Sequence, residues 1–385
     1  MIKAVILAGG LGTRLRPLTY TRLKPMLPVV QKPILHHLIS SLAAQGFNEI
    51  IVTTNRKDQR VQEHFGDGTQ YNTHLTYAYE EYPLGTAGAV KNVQNQLDES
   101  FAIIQGDNIT EISFVEQMKF HKLKGGKATI AVKEVDTPWL YGIVELDKNR
   151  RIQRFLEKPT PEKCFSNLVS TGLYVLEPEV LDYVPLGREY DFAKDLFPRL
   201  LRDNVPIYGY VTDAFWVDIG NPDGYMEGTR YILSKLTNNI SETAEIKNVS
   251  IIGNAWIEEN VKIGAGTRII GPAYIERNTV VKNEAFIGPG TVIKEKTSIG
   301  AKARLYGAVI YEQTIIDEKA ILGKCIVAEN CRIGKEAIID DYAIIGANCK
   351  IGDKTHIYER SKIWPKIVIN PGATIAGIIE GVTNT

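Results

Sequence analysis

Cysteine is scarce in this 385-residue chain: there are four, and none stands in CxxC or zinc-ligand spacing. A disulfide framework or a thiolate metal cluster is therefore excluded as the organising device. Neither charge is in excess, with 45 Lys and Arg against 45 Asp and Glu. Neither a nucleic-acid surface nor a polybasic membrane patch is expected. No apolar run approaches the roughly 20 residues that span a bilayer. The first residues enter an apolar strand directly and carry no signal-peptide pattern, so a cytoplasmic protein is expected. Histidine is sparse too, six in all, and His36 and His37 fall in a predicted helix. No Ser–His pair stands out, and no histidine reads as catalytic. What is present is an apolar content of 44% and a length that allows two or three domains.

Two halves differ in grammar. In the first, strand-like runs (Ile50–Thr53, Leu75–Tyr79, Phe101–Gln105, Ala128–Val132) alternate with helical segments such as Ile34–Ala44, which opens after Pro33 and stops before Gly46. That alternation predicts an α/β domain over 1–236, Rossmann-like, with a mostly parallel sheet. Its ligands belong beyond the carboxyl ends of the strands. A linker is expected at 237–250. Over 251–385 aliphatic residues recur every six positions, from Ile251, Ile257 and Ile263 to Ile299 and Leu305. A second register is read from Val309, Ile315, Ile321 and Val327 to Ile375, with an irregular corner where four residues separate Leu305 from Val309. Hexapeptide periodicity specifies a parallel β-helix of three repeats per coil. Two positions before each aliphatic stands a small residue, such as Ala255, Thr267 or Ala337, and Cys325, Cys331 and Cys349 share that slot. Those cysteines are read as small inward-facing residues rather than ligands.

The stretch with most chemical content is 7–28, LAGGLGTRLRPLTYTRLKPMLP, which follows the apolar run ending at Leu7. Gly9, Gly10 and Gly12 let backbone N–H groups approach an anion closely. Arg14 and Arg16 add guanidinium forks suited to phosphate, and Lys24 a point charge before Pro25. The GK[ST] ending of a P-loop is absent, and Leu15 stands where a dinucleotide fingerprint needs its third glycine.

Taken whole, this string resembles the signature of the sugar-1-phosphate nucleotidyltransferases, and the resemblance continues along the chain. In that family the repeat domain is a left-handed β-helix. The resemblance implies that Leu7, Gly9, Gly10, Gly12, Thr13 and Arg14 meet the nucleotide. It also implies that Asp107, after the strand Phe101–Ile104, and Asp218, in FWVDIG, hold Mg²⁺ between the nucleotide and sugar phosphates. Alone, each aspartate would pass for a turn or cap residue. FLEKP places Glu157 on sugar hydroxyls and Lys158 on the sugar phosphate. Gly142, Ser170 and Thr171 match further sugar contacts, although many relatives carry Asn where Ser170 stands.

The nucleobase is expected at 79–88, with Gly85 and Thr86. Thymidylyltransferases of the superfamily carry glutamine where this chain has Glu80. A carboxylate only accepts hydrogen bonds, so Glu80 suits the donor edge of guanine and repels the carbonyls of uracil. EEYPLGTAGAVKN, DFAKDLFP and KIWP also resemble the mannose-1-phosphate guanylyltransferases. The reaction implied is NTP + sugar-1-phosphate → NDP-sugar + pyrophosphate, with GTP and mannose-1-phosphate as substrates and Arg14, Lys24, Asp107 and Asp218 as catalytic residues. The alternatives are a glucose-1-phosphate thymidylyl- or uridylyltransferase, a hexapeptide acyltransferase, for which His356 is the lone histidine after residue 245, and a non-catalytic regulatory subunit. A homo-oligomer through the repeat domain is expected.

Overall fold

The computed structural model describes residues 3–55 and 59–381. Through residue 235 the strands are β1 (Lys3–Leu7), β2 (Pro28–Val29), β3 (Lys32–Pro33), β4 (Glu49–Asn55), β5 (His74–Glu80), β6 (Phe101–Gln105), β7 (Asn108–Thr110), β8 (Ala128–Glu134), β9 (Gly142–Leu146), β10 (Ile152–Glu157), β11 (Leu168–Leu176), β12 (Ile207–Val211) and β13 (Trp216–Asp218). The α-helices are α1 (Ile34–Ala44), α2 (Arg60–Phe65), α3 (Gly85–Lys91), α4 (Phe114–Lys124), α5 (Phe197–Arg202) and α6 (Pro222–Lys235). Contacts divide the chain into two units. One comprises Met1–Gly10, Lys24–Met26 and Pro33–Asp218; the other comprises Leu11–Leu23, Leu27–Lys32 and Ile219–Thr385.

The first unit is a Rossmann-like α/β fold with a mostly parallel sheet. Its sheet runs β10-β9-β11-β6-β1-β4-β5, with β8 paired to β11 and β12 paired to β8. Strands β6, β1, β4 and β5 are mutually parallel, and β11 joins β6 antiparallel. The middle of β1, Ala4 to Ile6, is wholly buried, as a parallel strand covered on both faces must be. Local chemistry closes the helices. Ser113 caps α4 by accepting from the Glu116 N–H, and Gly125 ends it in the left-handed conformation. The core joins Val5, Ile51, Ile103 and Ile130 to Tyr174, whose ring lies 5.3 and 5.0 Å from Phe192 and Phe197.

The second unit is built on a parallel β-helix. Its strands form three parallel sheets of nine, eight and eight strands. Successive coils stack like residues, as in Ile257↔Ile275↔Ile293, and the aliphatic ladders form one buried core. The first register matches expectation, but Val309, Ile315 and Ile321 are one residue early. The core side chains are Ile310, Ile316 and Leu322, whereas Ile315 and Ile321 are 41% and 38% exposed. The irregularity is therefore two five-residue steps, Leu305 to Ile310 and Leu322 to Val327. Left-handed corners record the first of them, at Lys302, Gly307 and Gln313. The cause lies in the doublets Val309-Ile310, Ile315-Ile316 and Ile321-Leu322, where either residue satisfies an aliphatic period. The small-residue slot resolves them, because Ala308, Thr314 and Ala320 stand two before the true ladder positions and are buried. Cys325, Cys331 and Cys349 occupy the same slot as free, buried thiols. Ile316→Ala should cost about 2–5 kcal/mol of stability. Ile315→Ala should cost about 0.5 kcal/mol or less. Denaturant unfolding of the two variants reads the difference, and equal losses would refute the register.

Candidate active site

The carboxyl ends of β1, β5 and β6 converge, as the ligand edge of an α/β sheet should. The Leu7 carbonyl accepts from the Gly106 N–H at 2.9 Å. A Cβ on Gly106 would come within 2.8 Å of that carbonyl, so only glycine fits there. Glu80 is the last residue of β5. Its Oε1 lies 2.9 Å from where a Cβ on Gly9 would stand, which sets the carboxylate against the glycine-rich loop. Its Oε2 accepts from the Leu84 N–H at 3.0 Å. Burial pushes the Glu80 carboxyl above the usual carboxylate range, and the Leu84 N–H partly offsets that.

Lys24 is 9% exposed and forms an ion pair with Asp107. Asp218 ends β13, whose antiparallel pairing with β7 sets it opposite Asn108, the neighbour of Asp107 in the chain. Two carboxylates are thus gathered where β6 ends, beside one ammonium. Among the described residues no group of three or more His, Cys, Asp or Glu side chains could hold a metal ion. Two carboxylates still fit Mg²⁺, which usually takes one or two from the protein and its other ligands from phosphate and water.

On the antiparallel side, β9 and β10 pair Gly142 with Glu157. A Cβ on Gly142 would stand 2.7 Å from Glu157 Oε2, so glycine lets the carboxylate lie on the backbone. Burial raises the Glu157 carboxyl, Lys158 at 3.6 Å lowers it and Asp191 raises it further. Lys158 donates its N–H to the Tyr141 carbonyl at 3.0 Å, and the Tyr141 ring lies 5.2 Å from that of Trp216 on β13. The sugar-contact candidates are thereby tied to the strand that ends in Asp218. The pairing of β11 with β8 shifts between Ser170 and Tyr174. Thr171 donates its hydroxyl to the Ala131 carbonyl at 2.9 Å and offers its own carbonyl to Asn108 at 3.4 Å. Its side chain therefore holds the sheet, and Ser170 is the half-buried hydroxyl of the pair.

Gly85 opens α3 at φ 70°, where a Cβ would stand 2.7 Å from the Tyr190 carbonyl. Thr86 donates to Asp191 at 2.8 Å and accepts from the Phe192 N–H at 2.9 Å. Asp191 joins the nucleotide candidates to Glu157, and sequence reasoning gave it no role in the site. Its signal was that of a helix cap, and it does accept from the N–H groups of Ala193 and Lys194. Gly12, Thr13 and Arg14 fall to the second unit. Gly12 takes φ 62° ahead of the turn Thr13–Leu15, and its carbonyl accepts from the Thr19 hydroxyl at 2.8 Å. Arg14 has an exposed side chain.

Comparison with known proteins finds matches in both parts of the chain. A family model described as "Nucleotidyl transferase" matches residues 3–235, and one described as "GMPPB C-terminal domain" matches 269–379. A UTP–glucose-1-phosphate uridylyltransferase of Synechocystis sp. is 34% identical, over 80% of this chain and 87% of its own. A mannose-1-phosphate guanylyltransferase of Mycobacterium tuberculosis is also 34% identical, over 81% and 80%. The crystal structure of HddC from Yersinia pseudotuberculosis superposes with a TM-score of 0.53 at 27% identity, covering 60% of this chain and all of its own.

Proposed function

The chain belongs to the nucleotidyl transferase family, and on that premise we propose that it converts GTP and mannose-1-phosphate to GDP-mannose and pyrophosphate. The observation that carries the choice of base is Glu80, an acceptor-only carboxylate lying against Gly9 of the nucleotide loop. The guanylyltransferase relative supports the same choice. The Synechocystis relative favours the second reading, UTP with glucose-1-phosphate, on the same chemistry.

The sugar phosphate oxygen attacks the α-phosphorus in line. A new P–O bond forms, the bond between the α-phosphorus and its bridging oxygen breaks, and pyrophosphate leaves with that oxygen. The nucleophile is already an anion and needs no general base. Catalysis then rests on orientation and on neutralised charge. The amides of Gly9 and Gly10, with Gly12, Thr13 and Arg14 that follow in the chain, bind the triphosphate. Lys24 meets the charge developing at the α-phosphate. Glu157 accepts from sugar hydroxyls, and Lys158 neutralises the sugar phosphate. Gly142 and Ser170 shape that pocket, while Thr86 and Thr171 support it through Asp191 and Ala131. Asp107 and Asp218 would hold Mg²⁺, which when bound offsets phosphate charge. Exposed Ile315, Ile321 and Ile338 on the β-helix support a homo-oligomer.

The test is pyrophosphate release with Mg²⁺ over a grid of GTP, UTP, dTTP and ATP against mannose-, glucose- and N-acetylglucosamine-1-phosphate. GTP with mannose-1-phosphate should dominate. Dominance of UTP or dTTP with glucose-1-phosphate would keep the chemistry and overturn the choice of base. Silence throughout would leave the regulatory-subunit alternative.

A further inference from the structure

KIWP, residues 362–365, is a string to which the proposed chemistry gives no task. It lies on a late coil of the β-helix, where Ile363 of the strand Lys362–Ile363 is wholly buried in the core. Side chains alternate across a strand, so Lys362 and Trp364 both face outward. Other outward lysines of the β-helix pair with a carboxylate of a neighbouring coil, as Lys262 does with Glu245 at 2.9 Å and Lys302 with Glu284 at 3.6 Å. Lys362 donates instead to the Arg14 carbonyl at 3.1 Å, across 348 positions of sequence. The Trp364 ring stands 5.5 Å from the ring of Tyr20. The stretch Leu11–Leu23, which carries both Arg14 and Tyr20, belongs by contact to the same unit as the β-helix.

That stretch is also closed on itself. The Gly12 carbonyl accepts from the Leu15 N–H at 3.0 Å and from the Thr19 hydroxyl at 2.8 Å, and the Thr13 carbonyl accepts from the Arg16 N–H at 3.2 Å. The Arg16 guanidinium lies 4.8 Å from the centre of the Tyr20 ring. A turn tied only to itself can still pivot as a body. Two fixings, one at the Arg14 main chain and one at the Tyr20 ring, remove that freedom. The first is a charge-assisted hydrogen bond to the very residue whose exposed guanidinium is assigned to phosphate. A fork held in place before the anion arrives spares the cost of ordering it on binding.

We propose that Lys362 and Trp364 are positioning residues that fix the main chain at Arg14 and Tyr20, so that KIWP sets how tightly the nucleoside triphosphate is held. The inference rests on the reading in which the Arg14 guanidinium binds the triphosphate, and all the residues it joins lie in one unit.

The experiment uses the full-length chain with Lys362→Met, Lys362→Arg and Trp364→Leu, and with Lys362→Met combined with Arg14→Ala. Lys350→Met serves as control, because Lys350 holds the same outward slot before Ile351 on another sheet. Calorimetric binding of GTP, or of UTP should the parent prefer it, is read beside steady-state kinetics, the thermal midpoint and hydrogen exchange at residues 13–20. Lys362→Met should weaken triphosphate binding about tenfold, the lower end of what one hydrogen bond to a charged group is worth. KM for the sugar phosphate should stay nearly unchanged, and exchange at 13–20 should quicken. Lys362→Arg should recover part of the loss, Trp364→Leu should lose in the same direction, and Lys350→Met should match the parent. In the Arg14→Ala protein the Arg14 carbonyl remains but the guanidinium is gone, so adding Lys362→Met should weaken binding little further. Parent-like binding in Lys362→Met overturns the proposal, and so does an equal loss with and without the Arg14 guanidinium. If Trp364→Leu unfolds the last coils, Lys362→Met decides alone, since it removes only an outward ammonium. If the parent binds no nucleoside triphosphate, the functional reading fails while exchange still decides the placement of Arg14: faster exchange in Lys362→Met upholds it, and unchanged exchange removes it.

Discussion

Lys24→Met should leave a folded protein that forms NDP-sugar about a thousandfold more slowly, the upper end of what losing one preorganised charge or donor costs at an oxyanionic transition state. The reaction brings an anionic nucleophile to an anionic phosphate, so charge neutralisation carries much of the burden. The ammonium of a lysine that is only 9% exposed acts in a poorly screened setting. Methionine keeps the length and packing of the lysine stem and removes only the charge. The rival explanation is that Lys24 merely neutralises Asp107, its ion-pair partner. One result separates the explanations. If Lys24 were only the counter-ion of Asp107, its loss would act through the Mg²⁺ site and the defect should vary with Mg²⁺ concentration. If the ammonium acts on phosphate, turnover should stay low at saturating Mg²⁺. Single-turnover formation of NDP-sugar is the measurement, and a rate within tenfold of the parent would sink the role assigned to Lys24.

The parts of this molecule that were legible in its sequence are those written in local chemistry or in a period. Helix α1 spans Ile34–Ala44 as read, because Pro33 opens it and Gly46 follows its end at φ 87°. The β-helix was visible because an aliphatic side chain enters the core once in every six residues. The register slipped at Val309 because a doublet of aliphatics satisfies that period in two ways, and only Ala308, Thr314 and Ala320 break the tie. What escaped were long-range partners. Asp107 and Asp218 are more than a hundred residues apart, and what brings them together is the pairing of β13 with β7. The resemblance joined them where spacing could not. The hydroxyls of Thr86 and Thr171 are spent on Asp191 and the Ala131 carbonyl, and a hydroxyl does not announce its acceptor in sequence.

Glu80→Gln should move nucleotide preference from GTP towards UTP or dTTP by about a hundredfold or more, within the range that polar base-edge recognition reaches. The substitution is nearly isosteric. A glutamine oxygen can still accept from the Leu84 N–H, as Oε2 does at 3.0 Å, and the side chain keeps its place beside Gly9. What changes is the other end, where an acceptor becomes an amide N–H₂ donor. Guanine, which offers N1–H and an amino group, loses an acceptor. Uracil and thymine, which offer a carbonyl beside N3–H, gain a donor. The pH dependence separates this role from a structural one. Burial raises the Glu80 carboxyl, so as pH falls it takes up a proton sooner than an exposed glutamate would. Protonation gives it a donor, and the GTP-to-UTP preference of the parent should therefore narrow on the acid side of neutrality. The Glu80→Gln protein has no group to titrate there, and its preference should stay flat. Competition kinetics with GTP and UTP across pH measure both effects. A variant that loses GTP without gaining UTP or dTTP, and that keeps the parent's pH profile, would assign Glu80 to holding residues 81–84 and leave base selection to other residues.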